Sequence, residues 1–472
     1  MTPQQLAEHV LTVTTDRAGG DAEIEVSVDR QELALTRFAN SAIHQHVTDD
    51  TTTVQLRLHL DGRTTSTSTT VSNPAGIDAM VDRAVASVRV APAEPGWPGL
   101  TPPPPGEASA AGEVFAAGGA GYDEATADAD PRARAEQVRA FVAAVGADAT
   151  AAGYCRTLGW QGAFVNSAGH AVTARTTEAA LDGIARQHGR DGVARQAAVS
   201  LTDLDGAALG RRAGAKAATG QDPIELPPGE YEVVLEPCAV ADVLANLAAW
   251  GFNGRTYADG QSFAQLGEAQ FDPAVTIVDD PYAAGSPGRT YDREGTVRRR
   301  LTLVEQGVTR AVTHNRRSAA LAGPPAVATG HTSPIPLLPG AVAGNLGLRP
   351  DPTSGAGAAA PAAVDPAAVP LIAGVGRGLL VSDLWYTRVL DPKRLVMTGL
   401  TRNGVWLIED GEITRPVQNL RFTQSYPAAL APGAVRGVGP TAPVLPTPWG
   451  VAWWRAPGLH LAGWRFTGGA AG

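Results

Sequence analysis

The stretch TTTVQLRLHLDGRTTSTSTTVS constrains this chain most. Val54, Leu56, Leu58 and Leu60 recur at every second residue and run into Asp61-Gly62, a dipeptide suited to a two-residue hairpin. A strand of that period has one apolar face and needs both a paired neighbour and a cover. GGDAEIEVSVDRQELALTRFANSAIHQHV alternates in the same way just upstream, so the opening hundred residues predict antiparallel sheet plus helices. Those helices are expected over residues 3–16, with Leu6, Val10 and Leu11 on one side, and after Asn73-Pro74 through IDAMVDRAVASVRVA.

The Pro-rich stretch near 91–112 can continue neither helix nor sheet and reads as an exposed linker or long loop. Beyond it, DPRARAEQVRAFVAAVGA predicts a helix, and GYCRTLGWQGAFVNSAGHAVTARTTEAALDGIAR predicts strands joined by an NSAG turn. A first unit, 1–222, ends there. The second, 223–472, opens with the strand of LPPGEYEVVLEP and a helical stretch from Cys238 to Trp250. Strand-like segments joined by Asp-Gly, Asn-Gly and Gln-Gly turns then recur to the end. The fold class expected is α+β: a mixed N-terminal domain with an antiparallel sheet, then a β-rich, barrel-like C-terminal domain. TSGAGAAAPAAVDPAAVP, low in complexity, is expected to be a surface loop.

With 472 residues, 44% of them hydrophobic and 18% charged, the composition is that of a globular protein of two or three domains. The net charge of -9 argues against non-specific nucleic-acid binding, which needs a basic surface. Two cysteines are too few for a disulfide framework, and neither a signal pattern nor a run of about 18 apolar residues occurs, so a cytoplasmic setting without membrane insertion is expected.

No P-loop, GxSxG, CxxC or HExxH motif is present, and GVGRG at Gly374 to Gly378 lacks the Lys-Ser/Thr ending of a phosphate loop and reads as a turn. His44 and His46 share one face of a strand, but nothing obvious completes a metal site, which favours a surface or packing role. His314 stands beside Asn315, Arg316 and Arg317, a polar cluster able to bind a carboxylate or another chain, although a solvated turn is the simpler reading. Asp279, Asp280, Asp292 and Glu294 form acidic pairs for which turn and cap roles are favoured over proton sharing or cation binding. Cys238, at a strand-to-helix transition, and Cys155, in a strand, read as buried small residues. Trp449, Trp453, Trp454 and Trp464 suit either a core lid or an interface anchor.

From EYEVVLEPCAVADVLANLAAWGFNGRTYADGQSF through GSPGRTYDREG, GVTRAVTHNRRSA and TGLTRNGVWLIEDGEITRPVQNLRFTQS, with RFANSAIHQHV near the start, the order of segments resembles the TldD/PmbA family, also called TldD/TldE and long described as modulators of gyrase. The resemblance implies a two-protein peptidase in which one subunit carries an HExxxH helix and a distant Cys for zinc while its homologue lacks them. Histidines five apart lie roughly 140° apart around a regular α-helix, so they converge only where the helix is widened, as in a π-bulge.

On this sequence the HExxxH positions fall on Ala245, Asn246 and Trp250, and no cysteine follows Cys238. The resemblance therefore implies the TldE/PmbA-like pattern: no cofactor bound by this chain, zinc in a TldD-like partner subunit, and small or unfolded peptides as substrates. Trp250, Asn253 and Arg255, with His314 and Arg316, are the candidate contacts to substrate or partner. Two rival readings are a homodimeric peptide-binding protein and a hydrolase that uses His314 with the acidic loop.

Overall fold

The computed structural model describes residues 1–103, 121–334, 338, 340–355, 361–447 and 450–470. The alternating N-terminal runs form one six-stranded sheet: β1 (Glu23–Ala39), β2 (Ala42–Leu60), β3 (Arg63–Thr69), β4 (Thr150–Asn166), β5 (Ala171–Gln187) and β6 (Arg190–Ala198). Their order is β3-β2-β1-β4-β5-β6, antiparallel throughout. Asp61 and Gly62 both have positive φ, which matches the twist of a tight hairpin.

Two helices cover one face of this sheet, α1 (Pro3–Ala18), capped by Thr2, and α2 (Pro74–Val90), capped by Asn73. Ile24, Val26 and Val28 of β1 and Val54, Leu56 and Leu58 of β2 pack there against Leu6, Val10, Ile77 and Met80. Each large side chain buried in this way contributes roughly 1.5–3 kcal/mol, and a one-residue slip would turn all six strand residues to the wrong face.

The helices α3 (Pro131–Ala144) and α4 (Gly206–Thr219) cover the rest, around Phe38, Phe141, Leu181 and Leu209. The sequence reading missed α4 and β6, both rich in Ala and Gly. Close approach explains the glycines of α4: a Cβ at Gly210 would lie 2.2 Å from Phe141 O, and one at Gly214 2.0 Å from Val145 O.

The remaining strands begin with β7 (Gly229–Leu235), β8 (Ile277–Asp279), β9 (Leu301–Glu305), β10 (Val308–Thr309) and β11 (Leu346–Leu348). They continue with β12 (Arg377–Asp391), β13 (Val396–Glu409), β14 (Glu412–Pro416), β15 (Leu420–Ser425), β16 (Val435–Val438), β17 (Val444–Pro446), β18 (Trp453–Arg455) and β19 (Leu459–Gly469). In one sheet β12, β7, β19, β15 and β13 are neighbours in that order, and β12 pairs with β13 again, which closes the ring into a barrel. A second sheet, β10-β9-β8-β11-β18-β17, packs beside it.

The helical stretch expected from Cys238 to Trp250 is present, as α5 (Pro237–Asn246) followed by a π-helical turn over Leu247–Gly251. One expectation changes here: the low-complexity run is not simply a surface loop. Residues 356–360 lie outside the described residues, but Val364, Ala367 and Ala368 are buried, and Val364 and Ala368 pack with Leu380 and Trp406. Its small side chains fit where the chain passes tightly over the barrel. The described part of the Pro-rich stretch, 91–103, is irregular, and 104–112 lies outside the described residues. Among the described residues no helix is long and apolar enough to cross a membrane.

Candidate functional site

The helix α5 starts directly after β7, with Pro237 at its first turn, where a missing N–H leaves no helical bond unmade. Val240, Val243, Leu244 and Leu247 turn into the main core, leaving Asp242, Ala245 and Asn246 only partly covered. The wider pitch then sets in. Phe252 N donates to Leu247 O at 2.7 Å, a five-residue step. A turn of this width is what side chains five apart need in order to converge, and it lies at the end of the segment from Ala245 to Trp250.

None of the side chains there suits zinc, which takes imidazole, thiolate or carboxylate donors. Ala245 offers a methyl group. The Asn246 amide is committed, donating from Nδ2 to Asp242 O at 2.9 Å and Asp242 Oδ2 at 3.2 Å. Trp250 packs against the main core, and its carbonyl oxygen accepts from Thr256 Oγ1 at 2.7 Å. Cys238 lies inward at the start of the helix, and burial pushes its thiol up to about 12, overriding Arg195. Cys155 is fully buried, where Cys238 is only partly so, and its thiol is also pushed up to about 12. Among the described residues no group of three or more His, Cys, Asp or Glu side chains is arranged to hold a metal ion.

Asp242, which sequence reasoning passed over, organises this surface. Its Oδ1 accepts from Thr387 Oγ1 at 2.8 Å and its Oδ2 from Tyr426 Oη at 2.9 Å. Burial still pushes its carboxyl up to about 7, against the pull of those donors. An acid three residues before the degenerate motif was the only signal available, and its partners come from β12 and from the helical turn just after β15.

The other candidates do not gather into one constellation. Asn253 is buried and holds backbone: its Oδ1 accepts from Arg255 N and Ala341 N, and its Nδ2 donates to Ala249 O. Arg255 is half-exposed and pairs with Asp259 at 2.6 Å. Arg316 directs its guanidinium to the carbonyl oxygens of Pro98 and Gly99, pinning the Pro-rich segment.

His314 Nδ1 lies 3.1 Å from Ser318 Oγ, and burial lowers its pKa. The histidine that pairs with a carboxylate of the acidic loop is His331, buried, whose Nε2 is 3.0 Å from Asp279 Oδ1; the sequence reading did not single it out. Asp280 and Asp292 cap turns through Tyr282 N, Glu294 N and Thr296 N, while Glu294 faces Arg57.

His44 and His46 are exposed on β2, His46 beside Thr36 Oγ1 at 2.9 Å. Trp453, Trp454 and Trp464 are core residues, and Trp453 reaches Ala180 and Ala197 of the first sheet. Trp449 lies outside the described residues. The two halves are also joined by a buried ion pair, Lys216 with Glu236, and a partly buried one, Arg195 with Asp383.

The chain thus combines a closed barrel with a helix that widens at a segment free of zinc donors. Residues 228–463 match the model of the PmbA/TldA metallopeptidase C-terminal domain, and residues 24–88 match PmbA/TldA metallopeptidase domain 1. The chain belongs to this family, the TldD/PmbA family.

The fold is that of TldE from Thermococcus kodakarensis, with a TM-score of 0.80 at 16% identity over 98% of this chain and 100% of that one. A Thermotoga maritima protein described as a modulator of a DNA gyrase has a TM-score of 0.76 at 17% identity, covering 98% of this chain and 99% of that one. A Methanothermobacter thermautotrophicus metalloprotease is 28% identical over 167 residues, which are 33% of this chain and 37% of that protein's length.

Proposed function

We propose that this chain is the zinc-free, TldE/PmbA-like subunit of a two-protein metallopeptidase, shaping the chamber and substrate path for a TldD-like homologue that carries zinc and cleaves small or unfolded peptides in the cytoplasm. The observation that carries this reading is the π-helical turn at Leu247–Gly251 beside Ala245, Asn246 and Trp250. The backbone widening that a five-residue ligand spacing needs is present, while every side chain at those positions is unable to ligate or to take a proton from water. A widened turn is a costly feature to keep in a helix with no use for it, and descent from a zinc-binding helix accounts for it. The fold shared with a protein named TldE supports the same assignment.

The test is peptidase activity on an unstructured peptide mixture by this chain, by a TldD-like homologue and by the two together, with zinc measured in each. Activity in the mixture, with zinc confined to the homologue, is expected. Chelator-sensitive activity with stoichiometric zinc in this chain alone would overturn the assignment. Peptide binding by a homodimer that never associates with the homologue would support the rival binding reading instead.

A further inference from the structure

On the face of the N-terminal sheet turned away from its helices, Arg37, Tyr154, Asp182 and Arg195 form one row across β1, β4, β5 and β6, each opposite the next. Their sequence neighbours Phe38, Cys155, Leu181 and Ala194 point the other way, into the core under α3 and α4. The arm formed by β12 and β13 stands over the row. An open cavity of about 550 Å³ lies between them, lined by Leu33, Leu35, Ile184, Val193, Trp385 and Arg402 among others. A second cavity, of about 370 Å³, adjoins it: Trp385, Arg402 and Asn403 line both, and Arg186 and Arg190 line the second.

Six arginines line this double cleft against two aspartates, Asp182 and Asp191, in a chain whose net charge is -9. Three of the six are neutralised locally: Arg156 by Glu178 at 2.7 Å, Arg195 by Asp182 and Asp383, and Arg186 by Asp191 at 2.6 Å. Among the described residues no carboxylate pairs with Arg37, Arg190 or Arg402. Arg37 is exposed and the other two are partly so, which leaves all three within reach of solvent.

The Arg402 guanidinium lies 4.5 Å over the Trp385 ring. Stacking of this kind holds the head group in place and leaves its N–H edge free for a carboxylate. Trp385 is itself 48% exposed, a large apolar surface left open beside the aliphatic floor of Leu33, Leu35, Ile184 and Val193.

We infer that the double cleft binds an extended peptide segment that carries acidic and aliphatic side chains together. The aliphatic groups settle on Leu33, Leu35 and Trp385, and the carboxylates reach Arg37, Arg190 and Arg402. Unpaired guanidinium groups call for carboxylates. A branched aliphatic floor calls for aliphatic side chains rather than for bases, and the chain's own negative charge works against a polyanion. This binding belongs to the chain alone. Only its use, to draw acidic segments toward the partner's zinc, rests on the functional reading above.

Calorimetric titration of the isolated full chain with an acetylated and amidated hexapeptide of alternating Glu and Leu tests this. Saturable binding is expected, at least tenfold weaker when Gln replaces Glu and at least fivefold weaker when Ser replaces Leu. It should also weaken as salt rises from about 50 to about 500 mM. An Arg37→Gln/Arg402→Gln variant is expected to bind at least tenfold more weakly. Arg89→Gln/Arg139→Gln, which removes the same charge from exposed positions of α2 and α3 outside the cleft, is expected to bind as the unaltered chain does.

The peptide comparisons use the unaltered chain, so they do not depend on a variant folding. No saturable binding, equal binding of the Glu and Gln peptides or of the Leu and Ser peptides, or equal loss in both double variants would each overturn the proposal. Tighter binding of a ten-residue thymidine oligonucleotide would overturn it too, by assigning the cleft to nucleic acid. No partner subunit enters these measurements, so an inactive mixture in the peptidase assay and a failed titration are separate outcomes.

Discussion

Tyr426 donates its hydroxyl to Asp242 Oδ2 at 2.9 Å, the same oxygen that Asn246 Nδ2 approaches at 3.2 Å. One carboxylate thus ties the degenerate helix to the short helical turn that follows β15. The Asn246 amide, at the position where the zinc motif has its glutamate, is held away from any catalytic duty.

If the π-helical turn preserves the geometry of a two-histidine site, restoring the imidazoles should restore metal affinity. An Ala245→His/Trp250→His variant is expected to hold zinc at least roughly tenfold more tightly than the unaltered chain, measured by competition with a chromophoric chelator. Equal affinities would mean that the two positions do not converge.

Asp242 makes stability depend on pH in a known direction. Its folded pKa, about 7, lies above the ordinary value of 3.8, so the folded chain keeps a proton that the unfolded chain has lost. Stability therefore falls as pH rises through that interval and levels off above it, by roughly 1–3 kcal/mol for this group. Glu25, raised to about 7 by burial, acts in the same sense. Denaturant unfolding from pH 4 to 8 should show the decline, and an Asp242→Asn variant should show a shallower one.

The glycines of α4 give a sharper test of packing. Ala is the better helix former by about 1 kcal/mol, yet Gly214→Ala places a methyl carbon 2.0 Å from Val145 O. The backbones of α3 and α4 must separate, so a net loss of about 1–3 kcal/mol is expected in chemical denaturation. A gain in stability would show that the two helices slide apart freely.

Lys216 donates to Glu236 and, at 2.6 Å, to Ser382 Oγ, with both charged side chains almost fully buried. Lys216→Met leaves the carboxylate unpaired and should destabilise the chain by about 3–5 kcal/mol. Adding Glu236→Gln should return part of that loss, so the double-mutant cycle should show strong coupling in equilibrium unfolding.

Much of the architecture was legible because a few local rules agree. The alternation of Val54, Leu56 and Leu58, the Asp61-Gly62 turn and the Asn73-Pro74 helix start each specify a conformation through neighbours within a few residues. The segment order around Ala245, Asn246 and Trp250 was legible too, since the absence of donors can be read from residue types alone. The helix α4 and strand β6 were not. Their Ala and Gly carry little hydrophobic pattern, and their meaning lies in how closely two backbones approach.

Only the tertiary structure decided which polar residues meet. Asp242 finds Tyr426 across 184 residues, His331 rather than His314 takes Asp279, and Glu25 shares Arg57 with Glu294 from the other half of the chain. The sequence by itself determined the strands, the main turns and the residue types at Ala245, Asn246 and Trp250, because those depend on side-chain chemistry and short-range backbone preference. Barrel closure and the buried polar pairings depend on desolvation and long-range contact, which no local pattern encodes.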